Sequence, residues 1–398
     1  MFRSALDTLL SGQNYLLLQG PMGPFFRDLA DWLGTKGRES RQVVFNGGDQ
    51  FYCRKGKSLP YKGTPEAFGA WLTGTHDEWP FDTLVCFGDC RPLHRAARRW
   101  AQAHEIRFLV FEEGYLRPCF ITLEENGVNG FSGLPRDPAF YRQLPAQPAP
   151  EVRRLTPSTC RRIGHAAWYY LMGCYFQRTF QNYQHHKSFS PWLEGARWTR
   201  AAARKVWYRA TEHRTRLMLA SQHRGGYFLA LLQVFNDSQL HYHSDYGDMC
   251  EFIEETLSSF ARAASPSRLL VFKHHPMDRG HRHYRKFIHT LSERYGVSGR
   301  ILYVHDVPLP ELLSNATGVV TLNSTAGISA LIHNKPLKVM GSALYDIEGI
   351  TFQGALDAFW RAPFRPDYRL FSAFRCYLMR CTQINTVFYS RENPFSGL

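Results

Sequence analysis

Residues 269–351 constrain the fold of this chain most strongly, because short apolar runs and helical segments alternate through them. The apolar runs 269–272 and 318–322 each stop at polar residues, which is typical of buried strands in a parallel sheet. In an open α/β sheet, ligands bind at the edge formed by the carboxyl ends of such strands. We therefore expect an α/β domain here, with its binding residues directly after these two strands.

Polar residues follow both predicted strands. The second strand is followed by three residues that can cap a helix beginning near residue 326: Asn323, Ser324 and Thr325. The unbonded N–H groups and the positive dipole end of a helix start favour an anion. Lys273 and His275 follow the first strand and add charge and a hydrogen-bond donor. This pattern predicts a phosphate site, most simply for a nucleotide; the alternative is an ordinary helix cap beside a solvated loop.

The N-terminal half opens with a glycine turn between a strand and a helix. A predicted apolar strand over residues 14–19 runs into Gly20 and Gly23, and residues 25–33 have helical periodicity. This order is typical of a doubly wound domain. The glycine pair has neither the full dinucleotide-binding pattern nor the Walker pattern. It indicates either a tight turn that needs a positive φ or a contact with substrate.

A second candidate site follows the predicted strand 107–111, where Glu112 and Glu113 lie next to each other. Two carboxylates at the carboxyl end of a strand suit acid–base chemistry, because their repulsion raises one pKa while Arg117 keeps the other group ionised. The alternative is a pair of exposed loop glutamates.

The net charge of +14 predicts an anionic partner, either nucleic acid, acidic lipid headgroups or an acidic sugar or nucleotide. Zinc-finger spacing and aromatic RNA-binding motifs are missing, so nucleic acid is the least favoured of these. No apolar run reaches the ~20 residues of a membrane span, and an acidic residue interrupts the N-terminal segment where a signal peptide has its apolar core. We expect a cytoplasmic protein.

The nine cysteines contain no Cys-x-x-Cys pair, so we expect reduced thiols and no zinc.

The chain divides into four predicted segments. Residues 1–150 form an N-terminal Rossmann-like domain, and residues 217–365 form a second, C-terminal one. Residues 366–398 form a C-terminal helix that packs back on the first domain. Between the domains, residues 151–216 interleave arginines with aromatic residues. Such a segment suits an anionic membrane surface or a buried helical linker.

Four motifs together resemble the capsular polysaccharide biosynthesis family (KpsS/LipB type): residues 231–239, 272–276, 323–327 and 345–351. The resemblance covers residues 15–351. It implies a GT-B-like α/β fold, with two Rossmann-type domains facing across a cleft. It also implies a retaining β-Kdo transferase that moves Kdo, an acidic eight-carbon sugar, from CMP-Kdo to a (lyso)phosphatidylglycerol acceptor. This step starts the poly-Kdo linker of the capsule in Gram-negative bacteria. The chain contains no Asp-x-Asp motif, and neither a metal nor another cofactor is expected.

The resemblance also implies roles for particular residues. Glu113 is the expected nucleophile or general base, and Glu112 is its orienting or acid partner. The acceptor side is assigned Gly20, Gly23 and Arg117. The nucleotide sugar is assigned a larger set of residues: Lys273, His275, Pro276, Asn323, Ser324, Thr325, Gln233, Asp237 and Ser238.

The implied location is the cytoplasmic face of the inner membrane, as a peripheral protein with other capsule biosynthesis and export proteins as partners. Two alternatives stay open. One is another CMP-sugar transferase of the sialyl type, and the other is a non-catalytic scaffold that holds the capsule machinery at the membrane.

Overall fold

The computed structural model describes residues 3–145, 148–183, 191–235, 244 and 246–398. The chain forms two compact units. The first unit comprises Met1–Leu134, Gln147–Glu194 and Cys376–Leu398, and the second comprises Pro135–Ala146 and Gly195–Arg375. Residues 151–216, predicted as a separate segment, are therefore divided between the two units.

Twelve strands lie in the described part of the chain. The first unit contains β1 (Asn14–Leu17), β2 (Glu39–Val44), β3 (Ser58–Pro60), β4 (Thr83–Phe87), β5 (Arg107–Glu113) and β6 (Ile121–Glu125). The second contains β7 (Tyr227–Leu231), β8 (Leu269–Lys273), β9 (Ile301–Val304), β10 (Gly318–Thr321) and β11 (Leu337–Val339). The short β12 (Gln383–Ile384) belongs to the first unit again.

The described helices are, in chain order, α1 (Ala5–Leu9), α2 (Phe25–Thr35), α3 (Gly47–Tyr52), α4 (Phe68–Glu78), α5 (Pro92–Ala103), α6 (Pro138–Arg142), α7 (Thr159–Tyr175) and α8 (Pro191–Thr211). They continue with α9 (His213–Ala220), α10 (Met249–Ala263), α11 (Arg285–Arg294), α12 (Leu309–Asn315), α13 (Ala326–Ile332), α14 (Leu356–Arg361) and α15 (Tyr368–Thr382). None of these helices is long and apolar enough to cross a membrane.

The sheet of the first unit has the strand order β12-β6-β5-β4-β1-β2-β3. Strands β1 to β5 pair in parallel, whereas β6 runs antiparallel to β5 and β12 antiparallel to β6. The predicted strand 107–111 extends two residues further because Glu112 and Glu113 pair with Thr122 and Ile121 of β6. Successive strand residues point to opposite faces, and each face has its own apolar core: Phe108 and Val110 lie in one, Leu109 and Phe111 in the other.

The sheet of the second unit is parallel throughout, with the order β11-β10-β7-β8-β9. Its core joins apolar residues of the strands to helices α10, α11 and α14. Phe228 and Phe272 of the strands belong to the same buried cluster as Phe252 of α10 and Ile288 of α11. Both sheets start from a central strand, β1 or β7, and build outward in two directions. Each unit therefore has a Rossmann-type arrangement with a switch point. The switch point lies between β1 and β4 in the first unit and between β7 and β10 in the second. The predicted α/β class is confirmed.

Candidate functional site

The switch point of the second unit is bridged by two side chains that the sequence assigns to the nucleotide sugar. Gln233 follows β7 and Asn323 follows β10, and both are buried. The Gln233 amide Nε2 donates to Asn323 Oδ1 at 2.8 Å, and the Asn323 main-chain N–H donates to Gln233 Oε1 at 3.3 Å. Because ligands of open α/β sheets bind at this edge, the pair marks the candidate binding edge of the unit.

Helix α13 begins at Ala326, as predicted, but its first N–H groups are already bonded. The Ala326 N–H donates to Ser324 Oγ at 3.2 Å, and the Gly327 N–H donates to the Ser324 carbonyl at 2.8 Å. The buried Tyr345 hydroxyl donates to the same carbonyl. The prediction of unbonded N–H groups at these two positions is therefore wrong, because the loop turns tightly enough to satisfy them. An anion here would be held by side chains, and the half-buried Ser324 and Thr325 hydroxyls are placed to do so.

The loop after β8 carries the predicted His-Pro motif. His275 is half buried, and its Nδ1 accepts the Met277 N–H at 3.2 Å, while Pro276 is exposed. Asp278 is fully buried and accepts the Phe235 N–H at 2.9 Å. The loops after β7 and β8 are thus joined to each other, just as Gln233 joins the loop after β7 to the loop after β10. Three consecutive strand ends form one connected edge.

Lys273 has a different role from the one predicted. Its side chain is only 8% exposed, and its Nζ donates to the His305 carbonyl at 2.6 Å. Burial, with Arg279 nearby, lowers the pKa of Lys273 to about 8. The ammonium therefore fixes the loop after β9 and does not project from the edge.

The same loop is held from its other side by Glu212, between α8 and α9. Its carboxylate accepts hydrogen bonds from the main-chain N–H groups of His305 and Asp306, at 2.8 and 2.7 Å, and from the His305 Nδ1 at 3.0 Å.

His305 is fully buried and stacks on Tyr208 of α8, with ring centroids 3.8 Å apart. His274 lies beside it at 4.7 Å between ring centroids, and Tyr303 contacts the His274 Nδ1 at 2.6 Å. This histidine cluster was not predicted, because it joins residues from strands and helices far apart in sequence.

In the first unit, Glu112 and Glu113 lie on opposite faces of the sheet, since they are consecutive residues of β5. They still contact each other through the main chain, because Glu112 Oε1 accepts the Glu113 N–H at 2.9 Å. Burial, and then the charges of Glu113 and Asp89, raise the pKa of Glu112 to about 7. Glu112 can therefore orient the end of β5, but its carboxylate does not lie beside that of Glu113 on one face.

The face that carries Glu113 continues a wall of phenylalanines. Phe111, two residues earlier on β5, packs edge-on against Phe25 of α2 at 5.3 Å, and Phe25 packs against Phe388 at 4.7 Å. Next to Phe388, the Tyr389 hydroxyl has its pKa raised to about 12 by burial and by the charge of Glu113, against the opposing effect of Arg162. Glu113 is thus half buried at the carboxyl end of a parallel strand, above an apolar wall, and its charge acts on Tyr389.

The other acceptor residues have mainly structural contacts. Gly23 has a φ of +141°, which confirms the tight turn, and a Cβ there would lie 3.4 Å from the His165 ring. A Cβ on Gly20 would approach Phe26 to 2.8 Å, so this glycine permits close packing of α2. Arg117 is exposed, and its Nε donates to the Gly114 carbonyl at 3.3 Å. Among the described ion pairs it has none with Glu112 or Glu113, although its charge lowers the Glu112 pKa.

A buried polar network at the switch point of the first unit was missed from sequence. Gln19, two residues after the end of β1, donates through Nε2 to Asp49 Oδ2 and to the Tyr169 hydroxyl, both at 3.0 Å. Tyr169 of α7 also donates to Asp49 Oδ1 at 2.7 Å, and α7 reaches this position because Gly47 and Gly48 let it approach α3 closely. Burial raises the Asp49 pKa to about 6 in spite of these hydrogen bonds. The one local signal was Gln19 itself, a polar residue at the end of an apolar strand.

Two predicted nucleotide-sugar residues, Asp237 and Ser238, lie outside the described residues. Within the described ranges, no group of three or more His, Cys, Asp and Glu side chains is arranged to hold a metal ion. The expectation that no metal is needed stays a prediction.

Two Rossmann-type units, each with polar side chains gathered at its switch point, define a GT-B-like α/β protein; the predicted cleft between the units stays a prediction. Sequence comparison then identifies the family. The model of the family described as "Capsule polysaccharide biosynthesis protein" matches residues 82–389. The chain belongs to this capsule polysaccharide biosynthesis family, as its motifs predicted.

Full-length relatives support the same assignment. The chain is 59% identical to the "Capsule polysaccharide export protein KpsS" of Escherichia coli, over 97% of this chain and 99% of the relative. It is 39% identical to the "Capsule polysaccharide modification protein LipB" of Neisseria meningitidis serogroup B, over 98% and 95% of the two chains. Among solved structures, it is similar to "Thermosulfurimonas dismutans KpsC, beta Kdo 2,7 transferase", with 13% identity, 91% and 89% coverage and a TM-score of 0.42. A likeness at this level says nothing about what either unit binds.

Proposed function

We propose that the protein is a retaining β-Kdo transferase that uses CMP-Kdo and a (lyso)phosphatidylglycerol acceptor to start the poly-Kdo linker of a capsular polysaccharide. Membership of the capsule polysaccharide biosynthesis family supports a capsule role. The names of its full-length relatives, a capsule export protein and a capsule modification protein, agree with that role. The observation that carries the proposal of catalysis is the position of Glu113, a half-buried carboxylate at the carboxyl end of β5.

The second unit is assigned the donor. The connected edge formed by the loops after β7, β8 and β10 offers amide, hydroxyl and imidazole groups, and CMP-Kdo carries a phosphodiester that such groups can bind. His275, Ser324 and Thr325 would contact the phosphate. Gln233 and Asn323 would keep the edge in place, because they are bonded to each other at the switch point. Lys273 would act on the donor only through the loop that it fixes.

The first unit is assigned the carboxylate chemistry. In a retaining transfer the bond between the anomeric carbon of Kdo and the phosphate oxygen breaks, and CMP leaves with the bonding electron pair. An oxocarbenium-like centre develops at the sugar, and a carboxylate such as Glu113 stabilises it or bonds to it. The acceptor hydroxyl then bonds to the anomeric carbon; where Glu113 has bonded to that carbon, this ester bond breaks and its electron pair returns to the carboxylate. The hydroxyl proton passes to a basic oxygen, such as that of the released carboxylate. Glu112, whose pKa lies near 7, would keep Glu113 oriented through the main-chain hydrogen bond.

The lipid acceptor requires contact with a membrane surface, and α7 supports this part of the proposal. Trp168 is 51% exposed and stacks on the exposed Phe51, with ring centroids 6.0 Å apart and planes 7° from parallel. Ile163, Leu171 and Tyr175 are also exposed on this helix. Residues 148–183 contain Glu151 as their one acid and five arginines: Arg153, Arg154, Arg161, Arg162 and Arg178. An exposed apolar stripe within a basic segment suits an anionic lipid interface.

The direct test is incubation of the purified full-length protein with CMP-Kdo and a fluorescent phosphatidylglycerol analogue. The expected result is a lipid product heavier by Kdo, formed together with CMP. A CMP-sialic acid competitor should not slow the reaction, which separates the proposal from a sialyl-type transferase. A reaction without product, beside a known Kdo transferase that is active under the same conditions, would contradict the proposal and favour a non-catalytic scaffold.

A further inference from the structure

Arg91 lies at the switch point of the first unit, at the end of the loop that follows β4. It is the residue before Pro92, the first residue of α5. Its guanidinium donates to Gln19 Oε1, across the boundary between β4 and β1, and lies 5.9 Å from the Phe87 ring centroid. The residues after these two strands form the crevice where ligands of open α/β sheets bind.

Within the described part of the chain, most N–H donors of the Arg91 guanidinium have no protein acceptor. Among the described residues it forms no ion pair with a carboxylate, and its hydrogen bond to Gln19 is the only one recorded for its side chain. The side chain is half buried, so part of its hydration is lost. Its charge lowers the pKa of the buried Asp49, but in the described part of the chain none of its N–H groups donates to a carboxylate. The guanidinium has five N–H donors in a planar fork that matches a phosphate or carboxylate.

Gln19 holds Arg91 in a fixed orientation. Its Oε1 accepts from Arg91, while its Nε2 is bonded to Asp49, Tyr169 and the Tyr183 hydroxyl. Asp49 in turn accepts three further hydrogen bonds within the buried network. Because the amide is bonded on both ends, the guanidinium is positioned before any ligand arrives, which lowers the entropy lost on binding.

We propose that Arg91, oriented by Gln19, binds the phosphodiester of the lipid acceptor. The choice of this anion rests on the proposed function, which assigns the acceptor to the first unit. Arg91 lies in the loop after β4, Glu113 ends the neighbouring strand β5, and Tyr389 lies within electrostatic range of both. A phosphate bound at Arg91 would therefore keep the glycerol hydroxyl of the acceptor near the carboxylate that acts in transfer.

Binding can be measured without turnover. Dihexanoyl phosphatidylglycerol, below its micelle concentration, is titrated into the full-length wild type and into Arg91→Ala, Arg91→Lys and Arg99→Ala variants. Arg99 is an exposed arginine on α5, the helix that begins directly after Arg91, so Arg99→Ala matches the change in net charge. We expect Arg91→Ala to weaken binding about 10- to 100-fold, as for the loss of a charge-assisted hydrogen bond. Arg91→Lys should restore part of the affinity, and Arg99→Ala should bind like the wild type.

Two further titrations distinguish the source of the anion. CMP-Kdo affinity should change less than twofold in Arg91→Ala; a selective loss of CMP-Kdo affinity would assign Arg91 to the sugar carboxylate and overturn the inference. Inorganic phosphate should bind the wild type far more weakly than the lipid, and equal affinities would overturn the lipid assignment. Unchanged phosphatidylglycerol affinity in a folded Arg91→Ala variant would also overturn it. If Kdo transfer is not detected but Arg91→Ala still loses the lipid, the proposed function fails and this site stands.

Discussion

Gln233 and Asn323, ninety residues apart in sequence, exchange two hydrogen bonds across the point where the second sheet reverses its strand order. Both residues belong to motifs that the sequence assigns to one ligand. Their contact means that the loops after β7 and β10 cannot move independently without leaving buried amide groups unpaired. The candidate binding edge of this unit is therefore held together by its own hydrogen bonds.

Replacing either member of this pair should destabilise the second unit. We expect Gln233→Ala and Asn323→Ala each to lower the free energy of unfolding by ~1–3 kcal/mol, since each leaves a buried amide group unsatisfied. The double variant should lose less than the sum of the two, with a coupling of at least ~0.5 kcal/mol. Urea unfolding of the four proteins measures this, and Gln222→Ala, at an exposed glutamine, is the matched control. Additive losses would show that the two side chains do not act as a pair.

Glu113→Gln should abolish transfer while leaving the donor bound. The amide has nearly the shape of the carboxylate but cannot bond to the sugar or accept a proton, so we expect kcat to fall ~10²–10⁴-fold. CMP-Kdo affinity, measured by calorimetry, should stay within about twofold. Glu125→Gln changes an exposed glutamate at the end of the neighbouring strand β6 and should retain activity. A Glu113→Gln variant that turns over normally would remove this residue from the mechanism.

Glu124 should make the first unit less stable as pH rises. Its carboxylate is 6% exposed and accepts hydrogen bonds from Tyr115 and Ser132, yet burial raises its pKa to about 7 from 4.5. The folded state therefore binds the proton more tightly than the unfolded state. The loss of folding free energy caused by ionising Glu124 is absent below the pKa of this group in the unfolded chain. It is complete above the pKa of the group in the folded protein, where it amounts to ~3 kcal/mol.

Glu124→Gln removes that titration. Between pH 5 and pH 8 the stability of the variant relative to the wild type should therefore rise, by up to ~3 kcal/mol. Unfolding in urea at several pH values measures the difference, and Glu125→Gln, at an exposed position of the same strand, should follow the wild-type curve. A parallel pH dependence in the wild type and Glu124→Gln would show that the carboxyl group is not perturbed.

Elements formed by local patterns were predictable from sequence, whereas those that depend on distant partners were not. The predicted strands 269–272 and 318–322 are observed as β8 and β10, and the helix expected near residue 326 is α13. Polar residues end each apolar run and so mark these bounds in the sequence. Strand β12 consists of two residues whose strand character depends on pairing with β6, more than 250 residues earlier. A two-residue strand leaves no periodic signal.

The candidate site divides in the same way. Gln233, His275 and Asn323 follow apolar runs, so their place at a sheet edge could be inferred from the strand ends alone. The contacts of Gln19 with Asp49 and Tyr169 span 30 and 150 residues and depend on how α7 packs against α3. Sequence also could not show that Lys273 is buried against the His305 carbonyl. A lysine at a strand end has the same local pattern whether it faces solvent or the loop beside it.

His274 should make the second unit less stable in acid. It is 1% exposed, and burial, followed by the neighbouring His305 and His283, lowers its pKa to about 2 from 6.5. The unfolded chain takes up a proton below pH 6.5 while the folded imidazole stays neutral. Stability is therefore lost as pH falls below 6.5, by ~2 kcal/mol from this residue at pH 5.

His274→Asn keeps an amide where Nδ1 meets the Tyr303 hydroxyl and has no titration of its own. The loss of stability between pH 7 and pH 5 should be smaller by ~2 kcal/mol in this variant. Thermal unfolding at each pH gives the comparison, with His289→Asn, at an exposed histidine, as the control. An equally steep loss in His274→Asn would mean that this residue does not contribute to acid sensitivity.

The exposed face of α7 should bind anionic membranes. A double variant, Trp168→Glu with Leu171→Glu, replaces two exposed apolar side chains by acids, and each apolar side chain contributes ~1.5–3 kcal/mol when it leaves water. Binding to vesicles of phosphatidylcholine with phosphatidylglycerol should therefore weaken at least ~10-fold, as measured by co-sedimentation. Added salt should weaken wild-type binding, because the arginines of residues 148–183 attract the anionic headgroups.

The control is Tyr368→Glu, at a 59% exposed aromatic residue of α15, and this variant should bind vesicles like the wild type. If the double variant binds as tightly as the wild type, or if the wild type binds pure phosphatidylcholine equally well, α7 is not the membrane contact, and the lipid acceptor must reach Glu113 by another surface.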